Sequence, residues 1–85
     1  MDEMYKAFSI GFYNRLKNTV NGSVNCKIDE ENDKMNIMIC RMGLQYKTYI
    51  PDVSKWMNDI QETEKEFDKV IRKYRSFVEH KFFYN

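Results

Sequence analysis

Residues 34–50 read KMNIMICRMGLQYKTYI. Apolar and polar positions alternate through both halves. Met35, Ile37 and Ile39 oppose Asn36, Met38 and Cys40; Leu44, Tyr46, Thr48 and Ile50 oppose Gln45, Lys47 and Tyr49. A period of two predicts two β-strands, each with one buried face. Met42-Gly43 between them suits a two-residue hairpin turn. That turn sets Arg41 opposite Leu44, Ile39 opposite Tyr46, Ile37 opposite Thr48 and Met35 opposite Ile50. Every inward residue then meets an inward residue, an agreement that a one-residue slip would destroy.

Working outward toward the N-terminus, Ser23 to Asp29 also alternates, with Val24, Cys26 and Ile28 on one face. Glu30 to Asp33 is a polar turn, so a meander of three antiparallel strands is expected. Residues 2–20 read as a helix with Asp2 as cap, Glu3 in the first turn and a buried stripe of Met4, Tyr5, Phe8, Phe12, Leu16 and Val20. Gly11 inside it costs about 1 kcal/mol relative to Ala, which suggests close packing against a strand. Asn21-Gly22 is expected to end the helix with a left-handed glycine cap.

Toward the C-terminus, Pro51 stops the third strand. Asp52 is the expected N-cap of the next helix, and Pro51 with Trp56 has hydrophobic-staple spacing. Residues 53–83 then lack Gly and Pro. Val53, Trp56, Met57, Ile60, Phe67, Val70, Ile71, Tyr74, Phe77, Val78 and Phe82 share one face at 100° per residue. Acids fill the first half (Asp59, Glu62, Glu64, Glu66, Asp68) and bases the second (Lys69, Arg72, Lys73, Arg75, Lys81). The expected fold is one α+β domain over residues 1–85. Its order is α-β-β-β-α, with both helices on the apolar face of the sheet and a long C-terminal helix.

The 85 residues hold 14 bases and 13 acids, a net charge of +1. That balance disfavours both a nonspecific nucleic-acid binder and an acidic nucleic-acid mimic. No leader-like apolar segment opens the chain, and its longest uncharged run, Ala7 to Asn14, is too short and polar for a membrane span. A cytoplasmic location away from membranes is therefore expected, with Cys26 and Cys40 as free thiols.

Chemistry-bearing constellations are sparse. The one histidine, His80, sits opposite the apolar stripe, far along the chain from both cysteines. Cys26 points inward and Cys40 outward, so they share neither a metal nor a disulfide. Asp29-Glu30-Glu31-Asn32-Asp33 loosely matches a calcium loop, but the sixth position is Lys34 rather than Gly and the twelfth is Cys40 rather than Glu. There is no phosphate-cradling glycine loop. The expectation is a non-enzymatic protein with no metal, no cofactor and no catalytic residues.

The element order and size resemble a double-stranded RNA-binding domain. That family carries a lysine cluster at the start of its second helix. Here the position reads Asp52-Val53-Ser54-Lys55-Trp56-Met57-Asn58-Asp59, which is net acidic, so only the layout carries over. Size and layout are also similar to some anti-CRISPR proteins, which implies a small inhibitor encoded by a phage or mobile element.

Length points to a protein partner. A helix of about 30 residues is about 45 Å long. A seven-residue strand spans about 23 Å and a first helix of 18 residues about 27 Å. The polar run Gln61 to Glu66 divides the long helix, so Val53 to Ile60 is expected on the sheet and Phe67 to Phe82 against the first helix, a second copy or a foreign protein, with completion of the monomer core as the alternative. The candidate contact residues are Tyr74, Phe77, Phe82, Phe83, Tyr84, Ile10 and Tyr13, serving a foreign protein or a homodimer through the C-terminal helix. The alternative is a nucleic-acid-binding module using Lys69, Arg72, Lys73 and Arg75, with Arg15 and Lys17 expected nearby. The outer sheet face (Asn25, Lys27, Asn36, Met38, Lys47, Tyr49) has one aromatic, too few for a base-stacking platform.

Overall fold

The computed structural model describes residues 2–83. Its elements are α1 (Glu3–Thr19), β1 (Ser23–Asp29), β2 (Lys34–Arg41), β3 (Leu44–Ile50), α2 (Val53–Trp56) and α3 (Ile60–Phe83). The strands form one antiparallel sheet in the order β1-β2-β3. The β2/β3 register is the one expected, from Met35 opposite Ile50 to Arg41 opposite Leu44. Met42 and Gly43 have φ of 50° and 81°, both left-handed, as a type I′ turn requires.

Asp2 caps α1: its Oδ1 accepts from the Met4 amide at 2.8 Å. Within the expected stripe Phe12 and Leu16 are buried and Tyr5, Phe8 and Val20 pack against the core, but Met4 is half exposed. Both α1 glycine readings are corrected. A Cβ on Gly11 would meet nothing within 4 Å, so no strand packs there. The helix ends on an extended Val20 instead of a left-handed Gly22. Gly22 is required for a different reason: a Cβ on it would lie 2.5 Å from the Cys40 carbonyl oxygen of the neighbouring strand.

The C-terminal helix is broken, but earlier than the polar run. Residues 57–59 separate the four-residue α2 from the 24-residue α3, and Gln61 to Glu66 lie inside α3. Asp59 starts α3, its Oδ1 accepting from the Glu62 amide at 3.1 Å and its carbonyl from the Thr63 amide at 2.9 Å. Before the break, α2 is anchored by the buried Val53 and Trp56. The Trp56 indole donates to the Pro51 carbonyl at 2.9 Å.

Asp52 is not the α2 cap. It takes a left-handed backbone (φ 56°) and makes no capping hydrogen bond. Asp33, at the end of the β1–β2 turn, supplies the cap instead. Its Oδ1 accepts from the Ser54 amide at 2.9 Å and its Oδ2 from the Ser54 hydroxyl at 2.6 Å.

The core lies between the sheet and the helices: Phe12, Leu16, Ile28, Met35, Ile37, Ile39, Ile50, Val53, Trp56, Phe67, Val70, Ile71 and Tyr74 are buried. Phe8 meets Trp56 edge-on at 5.2 Å and Phe12 meets Phe67 at 5.5 Å, geometries that aromatic pairs favour. Arg15 reaches Glu64, while Thr19 and Val20 lie across a cleft from Tyr74 and Val78, so α1 and α3 run side by side in one direction. The stretch Phe67 to Tyr74 is therefore core, not free surface. What α3 leaves uncovered is its first residue and its last turns. At about 1.5 Å per residue it is about 36 Å long, close to the 40 Å long dimension of the molecule.

Candidate contact surface

α1 and α3 meet along one flank each, and the break at residues 57–59 opens a cleft at the start of that seam. Phe8, Gly11, Phe12, Met57, Ile60 and Thr63 line it, enclosing about 330 Å³. Gly11 contributes only backbone, which is why the cleft has depth beside α1. Its far wall is a two-pronged ion pair: Arg15 Nη1 and Nη2 donate to Glu64 Oε1 and Oε2 at 2.7 and 3.2 Å. The same guanidinium lies 4.0 Å from the Phe67 ring centre. Both partners are largely solvated, so the pair adds at most about 1 kcal/mol, and it mainly orients the two helices.

Beside the cleft Ile60 is 83% exposed, the most exposed of the large apolar residues. At the other end of α3, Phe82 and Phe83 are 47% and 76% exposed. Phe77 is half-buried, its ring 5.2 Å from Tyr46. Tyr74 is buried, so it serves the core rather than a contact. Its hydroxyl is enclosed without a hydrogen-bond partner among the described residues. Ile10 is half exposed and Tyr13 half-buried. By helical spacing both lie on the flank of α1 turned away from α3, so they do not join the α3 residues in one patch. Tyr84 lies outside the described residues.

The basic candidates also separate. Arg15 is bound to Glu64 in the acidic first half of α3, and Lys17 lies 5.9 Å from the Tyr13 ring; neither extends the α3 cluster. Lys69 pairs with Glu66 at 3.4 Å. Arg72, Lys73 and Arg75 are exposed. Arg72 and Arg75 border a shallow groove with Lys65 and Asp68.

The acidic β1–β2 turn is a structural joint. Asp29 accepts from the Asn32 side chain at 2.8 Å and its amide at 3.2 Å, bonds that hold its carboxyl below the usual range. Asp33 is likewise held low, chiefly by the Ser54 hydroxyl. Tyr5 donates to Asp33 at 3.0 Å, and that bond to a carboxylate pushes the phenol pKa up. One carboxylate thus ties α1, the β1–β2 turn and α2 together. On the sheet, burial pushes the Cys26 thiol up to about 12, which keeps it protonated and unreactive.

Among the described residues no three His, Cys, Asp or Glu side chains gather as metal ligands would, and no helix is long and apolar enough to cross a membrane. No protein-family model, no curated protein and no solved structure matches the chain.

Proposed function

We propose that this chain is a noncatalytic protein-binding module whose contact surface is the outer face of its helical layer. The supporting observation is the presence of exposed apolar groups on α3 together with an apolar cleft between α1 and the start of α3. Ile60, Phe82 and Phe83 stand in solvent, while Phe8, Met57 and the open floor at Gly11 form a hollow of about 330 Å³. Ile60, a large apolar group in solvent beside a concave apolar site, has the usual anatomy of a recognition surface, and Phe82 and Phe83 add exposed apolar area at the other end of α3. The finer reading is an inhibitor carried by a phage or mobile element against a host defence or nucleic-acid-processing complex. That role extends the proposal by class resemblance in size and layout.

The test is capture from the cells that encode the protein, with wild type and a Phe82→Ser/Phe83→Ser variant compared at equal folded concentration. A partner retained by wild type and lost by the variant supports the reading. Equal capture by both contradicts it.

A second reading draws on charge. Arg72, Lys73, Arg75 and Lys81 are exposed along the later turns of α3, a geometry that suits phosphates. Binding to DNA or RNA that weakens with salt and disappears in Lys69→Glu/Arg72→Glu would favour it.

A further inference from the structure

The seam between α1 and α3 opens a second time at its far end. There the last turn of α1, the end of β2 and the later turns of α3 border a cleft of about 480 Å³. Two polar groups on its lining lack what their chemistry requires. Tyr74 is 5% exposed, and its hydroxyl is enclosed with no hydrogen-bond partner among the described residues. Arg41 continues the inward series Met35, Ile37 and Ile39 of β2, so a guanidinium stands where the alternation calls for an apolar side chain. It is half-buried, and its side chain forms no ion pair or hydrogen bond among the described residues. Enclosed donors without acceptors are destabilising, and these two meet at one cleft. Arg75, exposed at the rim, brings a second guanidinium with no ion pair among the described residues.

We infer that this cleft is a binding site for a small organic anion, a carboxylate or phosphate group carried on an apolar body. All three polar groups are donors that call for an oxygen acceptor, and guanidinium groups favour oxyanions, which they hold through two parallel N–H···O bonds. Arg41 and Arg75 hold the oxyanion, and the Tyr74 hydroxyl donates to it. Val20 and Val78 line the same cleft and cover the apolar body. An apolar wall with a few convergent polar groups is the common anatomy of a small-molecule site. Glu79 and the carbonyl end of α1 border the cleft as well and oppose negative charge. The affinity is therefore weak, with a dissociation constant of about 0.1–10 mM. The site lies at the opposite end of the seam from the Gly11–Ile60 cleft and stands apart from the protein-contact reading.

Titration of the isotopically labelled chain at fixed ionic strength tests this, read at the methyl signals of Val20 and Val78. The probes are phenyl phosphate and benzoate, with phenol as the uncharged control. At least one of the two anions should move both valine signals to saturation, while phenol leaves them in place. The Ile60 methyl signal, at the other end of the seam, should stay fixed throughout. Tyr74→Phe keeps the ring and the packing against Tyr46, and it should weaken binding at least about tenfold, the worth of a hydrogen bond to a charged group. Arg41→Gln keeps a polar side chain and should weaken binding at least about tenfold as well. Melting temperatures confirm that the variants are folded. No shift with either anion up to about 20 mM, beyond the weak end of the expected range, overturns the site. So does an equal shift with phenol, an equal shift at Ile60, or a Tyr74→Phe variant that binds as tightly as wild type.

Discussion

Ser54 holds Asp33 through both carboxylate oxygens, amide to Oδ1 at 2.9 Å and hydroxyl to Oδ2 at 2.6 Å. The Asp33 carbonyl also accepts from the Val53 amide at 3.0 Å. A turn residue thus caps a helix 21 positions later in the chain. Asp33→Ala removes the cap and strains a residue with φ of 50°, so it should cost about 1–2 kcal/mol in denaturant unfolding. Asp33→Asn tolerates that backbone and should cost less. Equal losses for both would contradict the capping role.

The pH dependence follows from the same group. The folded Asp33 and Asp29 carboxyls lie below their unfolded values, so the unfolded chain binds protons more readily. Their contribution is complete above about pH 4 and is lost as pH falls through the folded values. Tyr5 has the opposite sign: its raised phenol contributes fully below about pH 10 and loses that contribution at higher pH. Unfolding midpoints should therefore fall below about pH 4 in wild type and fall less steeply in Asp33→Asn. Parallel acid limbs in the two proteins would contradict this assignment.

The glycines should respond in opposite directions. A Cβ at Gly22 would collide with the Cys40 carbonyl oxygen, backbone that cannot swing aside. Gly22→Ala should destabilise by about 1–3 kcal/mol. Gly11→Ala fills open space on a helix and should stabilise by about 0.5–1 kcal/mol. Thermal melts of the two variants decide, and a stable Gly22→Ala would refute the close approach.

Much of the fold was legible because its signals are local. Alternation around Met42-Gly43 specified the faces and the register of β2 and β3 together, and Asp2 declared its own cap. What escaped was long-range or ambiguous. Asp52 stands where a cap belongs, but Asp33 is brought there by the sheet, which no local pattern reveals. The helix break did carry a signal, Asp59-Ile60-Gln61-Glu62, a capping-box spacing with Asp at the cap. The polar run after it drew attention to the wrong place, because residues 61–66 can be polar and still helical on a solvated flank. Tyr74 shows the limit for the contact surface. Its place in the stripe fits core and interface equally, and only packing against Tyr46 in the three-dimensional structure assigns it to the core.

Tyr74 itself gives a stability test. Its hydroxyl is buried without a partner among the described residues, and an enclosed unsatisfied donor costs about 1–3 kcal/mol. Tyr74→Phe keeps the ring packing against Tyr46 and should be neutral or stabilising by up to about 1 kcal/mol. A clear loss of stability would mean that the hydroxyl is bonded in solution.

Cys26 should be inert in the folded protein. Its half-buried thiol stays protonated at pH 8, since burial pushes it up to about 12. Alkylation followed by peptide mass mapping should label Cys26 at least about tenfold more slowly than in denaturant. Labelling at the denatured rate would contradict its inward placement on β1.

The cleft end of the helical layer as a contact surface is best tested at Ile60, whose side chain stands in solvent at the cleft mouth. Methyl spectra of isotopically labelled wild type, recorded as the partner captured by wild type is added, read it directly. The Ile60 and Met57 methyl signals should move as the partner binds at the cleft. Ile10, on the far flank of α1, and the core residues Ile37 and Ile39 should stay fixed. An Ile60 signal that does not move at saturating partner would contradict this contact surface, as would an equal shift at Ile10.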